Sequence, residues 1–293
     1  VMEVHNGGSP STTLMNDWMT YLSRGRVKTG TAVSDSHDVH AHTAGYGRTW
    51  VKLDTFTPAA FADGLRAGRA VGGNGPFVRV TAQRLDGAQL PVGAAVEVGE
   101  TISVNAGAGE TLELTVDVQA PEWMTFDLIE VFTHASGREA VNGASNTEWP
   151  QSRVHQSRTL NVGALPVEAV PNMNGLNVRR IRVVEKFTVS PTADTWYVVF
   201  VRGSTAARPL FPLMMDGVSC NSSGACTTGS RYPWSFSNPI LVDADGSGRY
   251  DDFPLKGQAL RAPRPKPKPA PFRVPSAEEV LELIRSLREH PHE

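Results

Sequence analysis

The chain has 293 residues, of which 40% are hydrophobic and 20% are charged, and its formal net charge is −2. These values are typical of a globular protein with one large domain or two ordinary ones, and they give no general argument for binding nucleic acid or an anionic membrane. No apolar run approaches the roughly 18 residues that a membrane-spanning helix needs. The opening residues VMEVHNGG do not resemble a signal peptide, and we expect a further segment to precede Val1.

The first 77 residues are predicted to alternate between strands and helices. Residues 1–6 suit a short strand, and residues 14–24 carry an apolar stripe at helical spacing. The members of that stripe are Leu14, Trp18, Tyr21 and Leu22. Two further strands follow, in VKTGTAVSDSH and RTWVKLD. Thr57 can then cap a second helix, with Pro58 in its first turn.

From residue 78 the hydrophobic period changes from that of a helix to that of a strand. The segment TLELTVDV, residues 111–118, places Leu112, Leu114, Val116 and Val118 on one face. Several short strands with turn residues between them indicate an antiparallel β-sandwich over residues 78–202.

Residues 203–293 are predicted to contain three kinds of segment. Residues 203–260 are rich in loops. Residues 262–271 alternate proline with basic residues, so residues 261–275 suit an extended linker that is solvated or touches an anionic partner. Residues 276–293 are predicted to form an amphipathic helix, because Ser276 and Glu279 match a capping box before an apolar stripe.

The two cysteines, Cys220 and Cys226, lie in one short polar loop. They are predicted to form a disulfide hairpin, the alternative being two free thiols in a cytosolic protein. A disulfide would place the protein in an exported compartment, either periplasmic or extracellular.

The stretch VSDSHDVHAH, residues 33–42, contains two aspartates and three histidines. Asp35 and His37 are two residues apart at the end of a predicted strand, so their side chains point to the same side. Carboxylate and imidazole ligands suit Zn, Mn or Fe, and strand ends are common places for catalytic residues.

The order of motifs around this stretch resembles a known family. A strand with E-V-x-N-G is followed by a helix, a strand that ends in S-D-S-H, a G-x-x-R-T-W-V strand, a second helix and the turn G-N-G-P. This run, from Glu3 to Pro76, resembles the C-terminal part of PHP-domain metallohydrolases (the polymerase and histidinol phosphatase superfamily), in particular the carbaryl-hydrolase-like branch. The segment N-P-I-x-V-D-x-D-G at residues 238–246 fits the same general layout.

The resemblance implies the C-terminal portion of a distorted (β/α)₇ barrel over residues 1–77, followed by the β-sandwich, a loop-rich return to the barrel over 203–260 and the tethered C-terminal helix. It implies that Asp35 and His37 bind a divalent transition metal (Zn, Mn or Fe). The remaining ligands are expected in the missing N-terminal part of the barrel, before Val1. His40 and His42 are taken as loop residues near the metal or as additional ligands.

The same resemblance implies a hydrolase in which metal-activated water attacks a small-molecule phosphate ester, carboxyl ester or amide. Arg48 is a candidate for binding an anionic substrate, the alternative being a surface arginine. Asn74, in the turn G-N-G-P, is expected to serve the turn.

A second metal-binding pattern lies in DADGSGRYD. Its residues match positions 1, 3, 5, 7 and 9 of an EF-hand calcium loop, with glycine at position 6. The five residues are Asp243, Asp245, Ser247, Arg249 (through its carbonyl) and Asp251. Position 12 holds proline instead of glutamate, so an acidic turn without calcium is the alternative. The sequence thus leaves a second function open, that of a non-catalytic extracellular binding or structural module with a calcium-like loop.

Overall fold

The computed structural model describes residues 1–6, 12–36, 45–134, 153–171, 177–204, 206–207, 218–220, 226–228 and 232–251. These residues form seventeen strands and two α-helices, α1 (Thr12–Ser23) and α2 (Pro58–Arg66). The strands of the first half are β1 (Met2–Asn6), β2 (Gly30–Val33), β3 (Arg48–Val51), β4 (Ala70–Gly73), β5 (Phe77–Leu85), β6 (Pro91–Glu97), β7 (Thr101–Ser103), β8 (Thr111–Pro121) and β9 (Leu128–Phe132). Those of the second half are β10 (Val154–Thr159), β11 (Val167–Pro171), β12 (Asn177–Val189), β13 (Thr195–Arg202), β14 (Val218–Cys220), β15 (Cys226–Thr228), β16 (Trp234–Ser237) and β17 (Ile240–Asp243).

The chain begins with a strand–helix–strand unit, in which β1 and β2 are parallel neighbours joined by α1. The buried face of α1 repeats at helical spacing and consists of Met15, Trp18, Met19 and Leu22. Tyr21, which was predicted to belong to this face, is 41% exposed. The indole Nε1 of Trp18 donates to the Lys28 carbonyl over 2.7 Å, which ties the helix to the segment before β2.

The second helix begins as the sequence predicts. Thr57 is its N-cap, and the Thr57 hydroxyl accepts a hydrogen bond from the backbone N–H of Ala60 over 3.2 Å. Pro58 occupies the first turn, where a backbone N–H has no partner within the helix. Gly68, with a φ of 72°, follows the end of the helix and leads into β4.

The predicted (β/α)₇ barrel portion is wrong. Among the described residues, only one strand–helix–strand crossover joins parallel neighbours, whereas β3 and β4 are antiparallel to each other. β4 also pairs with β16, so a strand from the start of the chain and one from residues 203–260 are antiparallel neighbours in one sheet. The segment predicted to return to the barrel therefore completes this sheet instead. The barrel was an expectation from the family resemblance, and hydrophobic periodicity could not test it, because periodicity indicates the type of an element but not its neighbours.

Two larger sheets pack against each other and share a hydrophobic core. One has eight strands, in the order β10-β9-β13-β16-β4-β3, with β17 and β7 joined to it through β13. The other has five antiparallel strands, in the order β11-β12-β8-β5-β6. The alternation predicted for residues 111–118 is confirmed, because Leu112, Leu114, Val116 and Val118 are all fully buried on the core side of β8.

A second core lies on the other face of the eight-stranded sheet. Along β13, Val199 and Val201 belong to the core between the two larger sheets, whereas Val198 and Phe200 belong to the second core, with α1 and β1. The rings of Trp234 and Phe236 on β16 stack there with centroids 6.2 Å apart. The eight-stranded sheet is thus covered by the five-stranded sheet on one side and by the β1–α1–β2 unit on the other.

Two predicted segments lie outside the described residues. They are the linker at residues 261–275 and the amphipathic helix at residues 276–293. The two cysteines end β14 and begin β15, and Cys220 and Cys226 are directly opposite each other in this antiparallel pair. Directly opposed residues of neighbouring strands lie within the Cα separation that a disulfide requires, roughly 4.4–6.8 Å.

Candidate functional site

The carboxyl ends of β1 and β2 lie at one edge of the β1–α1–β2 unit, because parallel strands run in the same direction. Asn6 ends β1, and its side-chain amide donates to the Glu3 carboxylate over 3.1 Å. Asp35 follows β2 and is exposed, with a φ of 48°. A left-handed backbone costs a non-glycine residue roughly 1–2 kcal/mol, and such residues are concentrated at functional sites. We call this region, residues 5–6 and 33–36, the strand-end edge.

The structure brings one predicted metal ligand, Asp35, to the strand-end edge. His37, His40 and His42 lie outside the described residues. His5 belongs to β1 and is buried at this edge, with its ring 4.1 Å from that of Trp234. Asp35 lies beyond the carboxyl end of a parallel strand, which is where ligands bind in open α/β units.

Arg48 begins β3 at the same end of the molecule. Its guanidinium lies 5.2 Å from the ring centroid of Trp50, and its Nη2 donates to the Asn74 carbonyl over 3.0 Å. The residue is exposed as a whole, but packing over the indole partly desolvates the guanidinium and lowers the pKa of Arg48. Side chains alternate along β3, so Arg48 and Trp50 point to one side while Thr49 points toward β2. Arg48 is therefore close to the strand-end edge but is not directed at β2.

Asn74 fixes the turn after β4, as its position in G-N-G-P predicts. Its amide donates to the Tyr46 hydroxyl over 2.9 Å and to the Tyr232 carbonyl over 3.2 Å. Its side-chain oxygen accepts from the backbone N–H of Trp234 over 2.8 Å. The buried side chain is thus fully used in joining three segments, which leaves it a structural role.

The aspartate-rich loop after β17 is organised around Asp243, whose side chain is fully buried. One carboxylate oxygen accepts from the backbone N–H groups of Gly246 (2.8 Å) and Ser247 (3.1 Å). The other accepts from the N–H of Gly248 (2.9 Å) and from the hydroxyl of Ser103 (2.7 Å). Burial alone raises the pKa of Asp243, but the hydrogen bonds from Ser103, Gly248 and Gly246 outweigh it, and the net pKa lies below its usual value.

These bonds occupy the residue that was predicted to be the first calcium ligand. Two further predicted ligands are also engaged within the loop, because the Ser247 hydroxyl donates to the Arg249 carbonyl over 3.0 Å. Arg249 forms an ion pair with Asp251 over 2.9 Å. The loop therefore holds its own shape through hydrogen bonds to Asp243, as the alternative of an acidic turn predicts.

The other two predicted ligands lie beside an aspartate that sequence reasoning missed. Asp194, Asp245 and Asp251 each offer a carboxylate oxygen within 4.8 Å of the others, and this aspartate triad could hold a metal ion. Asp194 is buried and accepts from the backbone N–H groups of Ala244 and Asp251, both over 2.8 Å. Three carboxylates are the oxygen ligands that hard cations such as calcium prefer.

Asp194 reaches the loop through strand pairing. β13 and β17 are antiparallel, and Thr195 is opposite Val242, so the start of β13 lies beside the end of β17. The turn SPTADTW carries no motif of its own, and only knowledge of this pairing could have linked Asp194 to a loop some fifty residues away.

The protein surface has a cavity near the aspartate-rich loop and another on the β1–α1–β2 unit. One of about 230 Å³ adjoins the aspartate-rich loop and is lined by residues that include Arg84, Asn105 and Asp245. Another of about 690 Å³ opens at the amino ends of β1 and β2, near Tyr21 and Lys28, away from the strand-end edge.

Comparison with known proteins gave no match among family models, curated proteins or solved structures. Neither helix in the described part of the chain is long and apolar enough to cross a membrane.

Proposed function

We propose that the chain belongs to a metal-dependent hydrolase in which the strand-end edge forms part of the metal site. The observation that carries this proposal is Asp35, an exposed carboxylate in a left-handed backbone conformation at the carboxyl end of a parallel strand. The motif order around S-D-S-H, which resembles the PHP metallohydrolases, supports the same conclusion.

Each candidate residue would have a separate role in binding the metal or the substrate. The Asp35 carboxylate, together with His37 from the resemblance, would hold Zn, Mn or Fe, and His40 and His42 are additional candidate ligands. The bound metal would supply a water nucleophile at neutral pH and polarise a phosphate ester, carboxyl ester or amide. Arg48, at the same end of the molecule, would add positive charge that favours an anionic substrate.

Metal binding tests this proposal before any substrate is known. Purified metal-free chain is titrated with Mn²⁺ or Zn²⁺ by calorimetry, and hydrolysis of aryl phosphate and aryl ester substrates is measured with each metal. We expect Asp35→Asn to weaken the binding of the transition metal at least tenfold, because a neutral amide replaces a charged ligand. Any turnover should fall in parallel.

Asp63→Asn is the matched control. Asp63 is an exposed aspartate on α2, with a surface ion pair to Arg66 over 2.8 Å. Its replacement should leave metal affinity unchanged, since it is not at the strand-end edge. Equal affinities of wild type and Asp35→Asn would contradict the assignment of Asp35.

A second candidate function has its own observation, the aspartate triad. We propose that Asp194, Asp245 and Asp251 bind calcium and that the chain serves as an extracellular structural or binding module. Extracellular calcium modules bind with Kd values of about 10⁻⁴–10⁻³ M. At 10 mM calcium, occupancy should then stabilise the fold by about 1–3 kcal/mol.

The calcium proposal is tested by thermal unfolding with 10 mM Ca²⁺ or with EDTA. We expect calcium to raise the Tm of the wild type by several degrees and to leave Asp245→Asn nearly unchanged, because that variant loses one of three ligands. A calcium response that survives in Asp245→Asn would place the ion elsewhere. A response to transition metals that Asp35→Asn removes would instead favour the hydrolase.

A further inference from the structure

The outer edge of β2 has no backbone ladder to the eight-stranded sheet. Among the strands that the structure describes, β2 pairs with β1 alone, and these two strands form a separate sheet. On the other side, the backbone groups of Gly30 and Ala32 face β3 and β4. Buried N–H and C=O groups without partners would cost free energy, so this edge must be satisfied in another way.

Thr49, on β3, satisfies Ala32. Its hydroxyl accepts from the Ala32 N–H over 2.9 Å and donates to the Ala32 carbonyl over 2.9 Å. A single side chain thus replaces the pair of bonds that a neighbouring strand would make.

Asn238, which precedes β17, satisfies Gly30 in the same manner. Its side-chain oxygen accepts from the Gly30 N–H over 2.7 Å, and its amide donates to the Gly30 carbonyl over 3.0 Å. The same amide also donates to the Ala70 carbonyl on β4 over 2.8 Å, and the side chain is fully buried. Asn238 therefore links β2 to β4 with both ends of its amide.

We propose that Thr49 and Asn238 are positioning residues that hold β2 against the eight-stranded sheet, at Ala32 and at Gly30 respectively, and so fix the position of Asp35, which follows the strand. This inference rests on the proposed hydrolase function for its consequence at the metal site. The two side chains are the lateral attachments of a four-residue strand, and Ala32 is only three residues before Asp35. The fit beside them is tight, since a Cβ at Gly47 would lie 2.5 Å from the Val33 carbonyl oxygen.

The test compares variants that keep the shape of each side chain but remove the bonds. Thr49→Val removes both bonds to Ala32, whereas Thr49→Ser keeps the hydroxyl. Asn238→Asp keeps the acceptor for Gly30 and removes the donated bonds. Hydrogen exchange of the full metal-free chain reports the protection of residues 30–33, and the visible absorption spectrum of added Co²⁺ reports the geometry and affinity of the metal site.

Two control variants match these changes elsewhere. Thr133→Val also removes a threonine hydroxyl, at the residue that follows β9, and this hydroxyl donates to the Trp196 carbonyl over 2.9 Å. Asn161→Asp is the same change in an exposed turn where only the side-chain oxygen is used, accepting from Gly163 over 3.0 Å. Thr133→Val therefore shows what the loss of a bonded threonine hydroxyl does when β2 is unchanged.

We expect Thr49→Val and Asn238→Asp to speed exchange of residues 30–33 about tenfold or more, because each leaves a buried backbone group without its partner. They should also alter the Co²⁺ spectrum and weaken Co²⁺ binding about tenfold, while Thr49→Ser and both controls should not. Exchange at residues 30–33 that matches the controls would overturn the proposal, and so would an unchanged Co²⁺ site despite faster exchange. If the wild type binds no Co²⁺, this chain does not form the proposed metal site by itself, and the exchange data alone then decide whether these side chains hold β2.

Discussion

Replacement of Asp243 by asparagine distinguishes a loop held by hydrogen bonds from a loop held by calcium. The carboxylate of Asp243 accepts four hydrogen bonds, from the N–H groups of Gly246, Ser247 and Gly248 and from the Ser103 hydroxyl. Asp243→Asn keeps the size of the side chain but turns one of its two acceptor oxygens into a donor.

The expected magnitude follows from these contacts. Asparagine can still accept from Gly246 and Ser247 through its one oxygen, and the Ser103 hydroxyl can rotate to accept from the new amide. The N–H of Gly248 then faces another donor. A hydrogen bond to a charged group contributes about 1.5–3 kcal/mol, so we expect a loss of about 2–4 kcal/mol in the free energy of unfolding. For a domain of this size that lowers Tm by roughly 4–16 °C.

The assay is urea unfolding in EDTA, repeated with 10 mM Ca²⁺. Asp245→Asn is the control, because Asp245 is exposed and should change the stability in EDTA by less than about 0.5 kcal/mol. The reasoning would be refuted if Asp243→Asn equalled the wild type in EDTA, or if its effect appeared only when calcium was present. The second result would mean that Asp243 acts as a calcium ligand.

Three further predictions address other parts of the molecule. Folding lowers the pKa of Asp243, so its ionised carboxylate stabilises the folded state fully above the unfolded pKa of about 3.9. This stabilisation is lost as the pH falls through the folded pKa. Below about pH 4, the free energy of unfolding should therefore depend less on pH for Asp243→Asn than for the wild type. Gly72→Ala should lower the free energy of unfolding in urea by about 1–3 kcal/mol, because a Cβ at this position would lie 2.6 Å from an aromatic carbon of β16. Gly87→Ala should be nearly neutral, because a Cβ there would lie 3.5 Å from its nearest atom. Equal effects of the two variants would contradict the packing argument. We expect a reductant to lower the stability of the wild type by about 2 kcal/mol and to leave the double serine variant unchanged, because it opens the predicted disulfide between Cys220 and Cys226. An intact mass that shows two free thiols would exclude the bridge.

Local features of the fold could be predicted from the sequence where one physical period dominates. The alternation of β8 and the capping of α2 follow from side-chain direction and from the unpaired N–H groups of a helix start, and both need only neighbouring residues. The buried face of α1 was predicted only in part. Tyr21 was counted as apolar but is exposed, and Met15 and Met19 belong to the buried stripe instead. The existence of the helix did not depend on that choice.

Long-range pairing could not be predicted in the same way. The pairing of β4 with β16 and of β13 with β17 joins segments with no shared pattern, and these pairs decide both the absence of a barrel among the described residues and the position of Asp194. At the candidate sites, the sequence predicted Asp35 at the end of a strand, and the structure places it two residues after that strand, β2, which ends at Val33. It also found the aspartate-rich loop, but it could not show that Asp194 joins Asp245 and Asp251 there, whereas Asp243 accepts bonds from the loop backbone and the Ser103 hydroxyl.

The attachment of β2 also constrains how the protein can be synthesised. The partner of Gly30 is Asn238, 208 residues further along the chain, and β4 likewise waits for β16. At translation rates of about 5–20 residues per second, the edge of β2 stays open for roughly 10–40 s before its partner has been made. Throughout that interval the β1–α1–β2 unit exposes the outer edge of β2, and an exposed strand edge of this kind promotes association between nascent chains. Assembly of this protein is therefore expected to depend on chaperones that protect early segments until the last strands have left the ribosome.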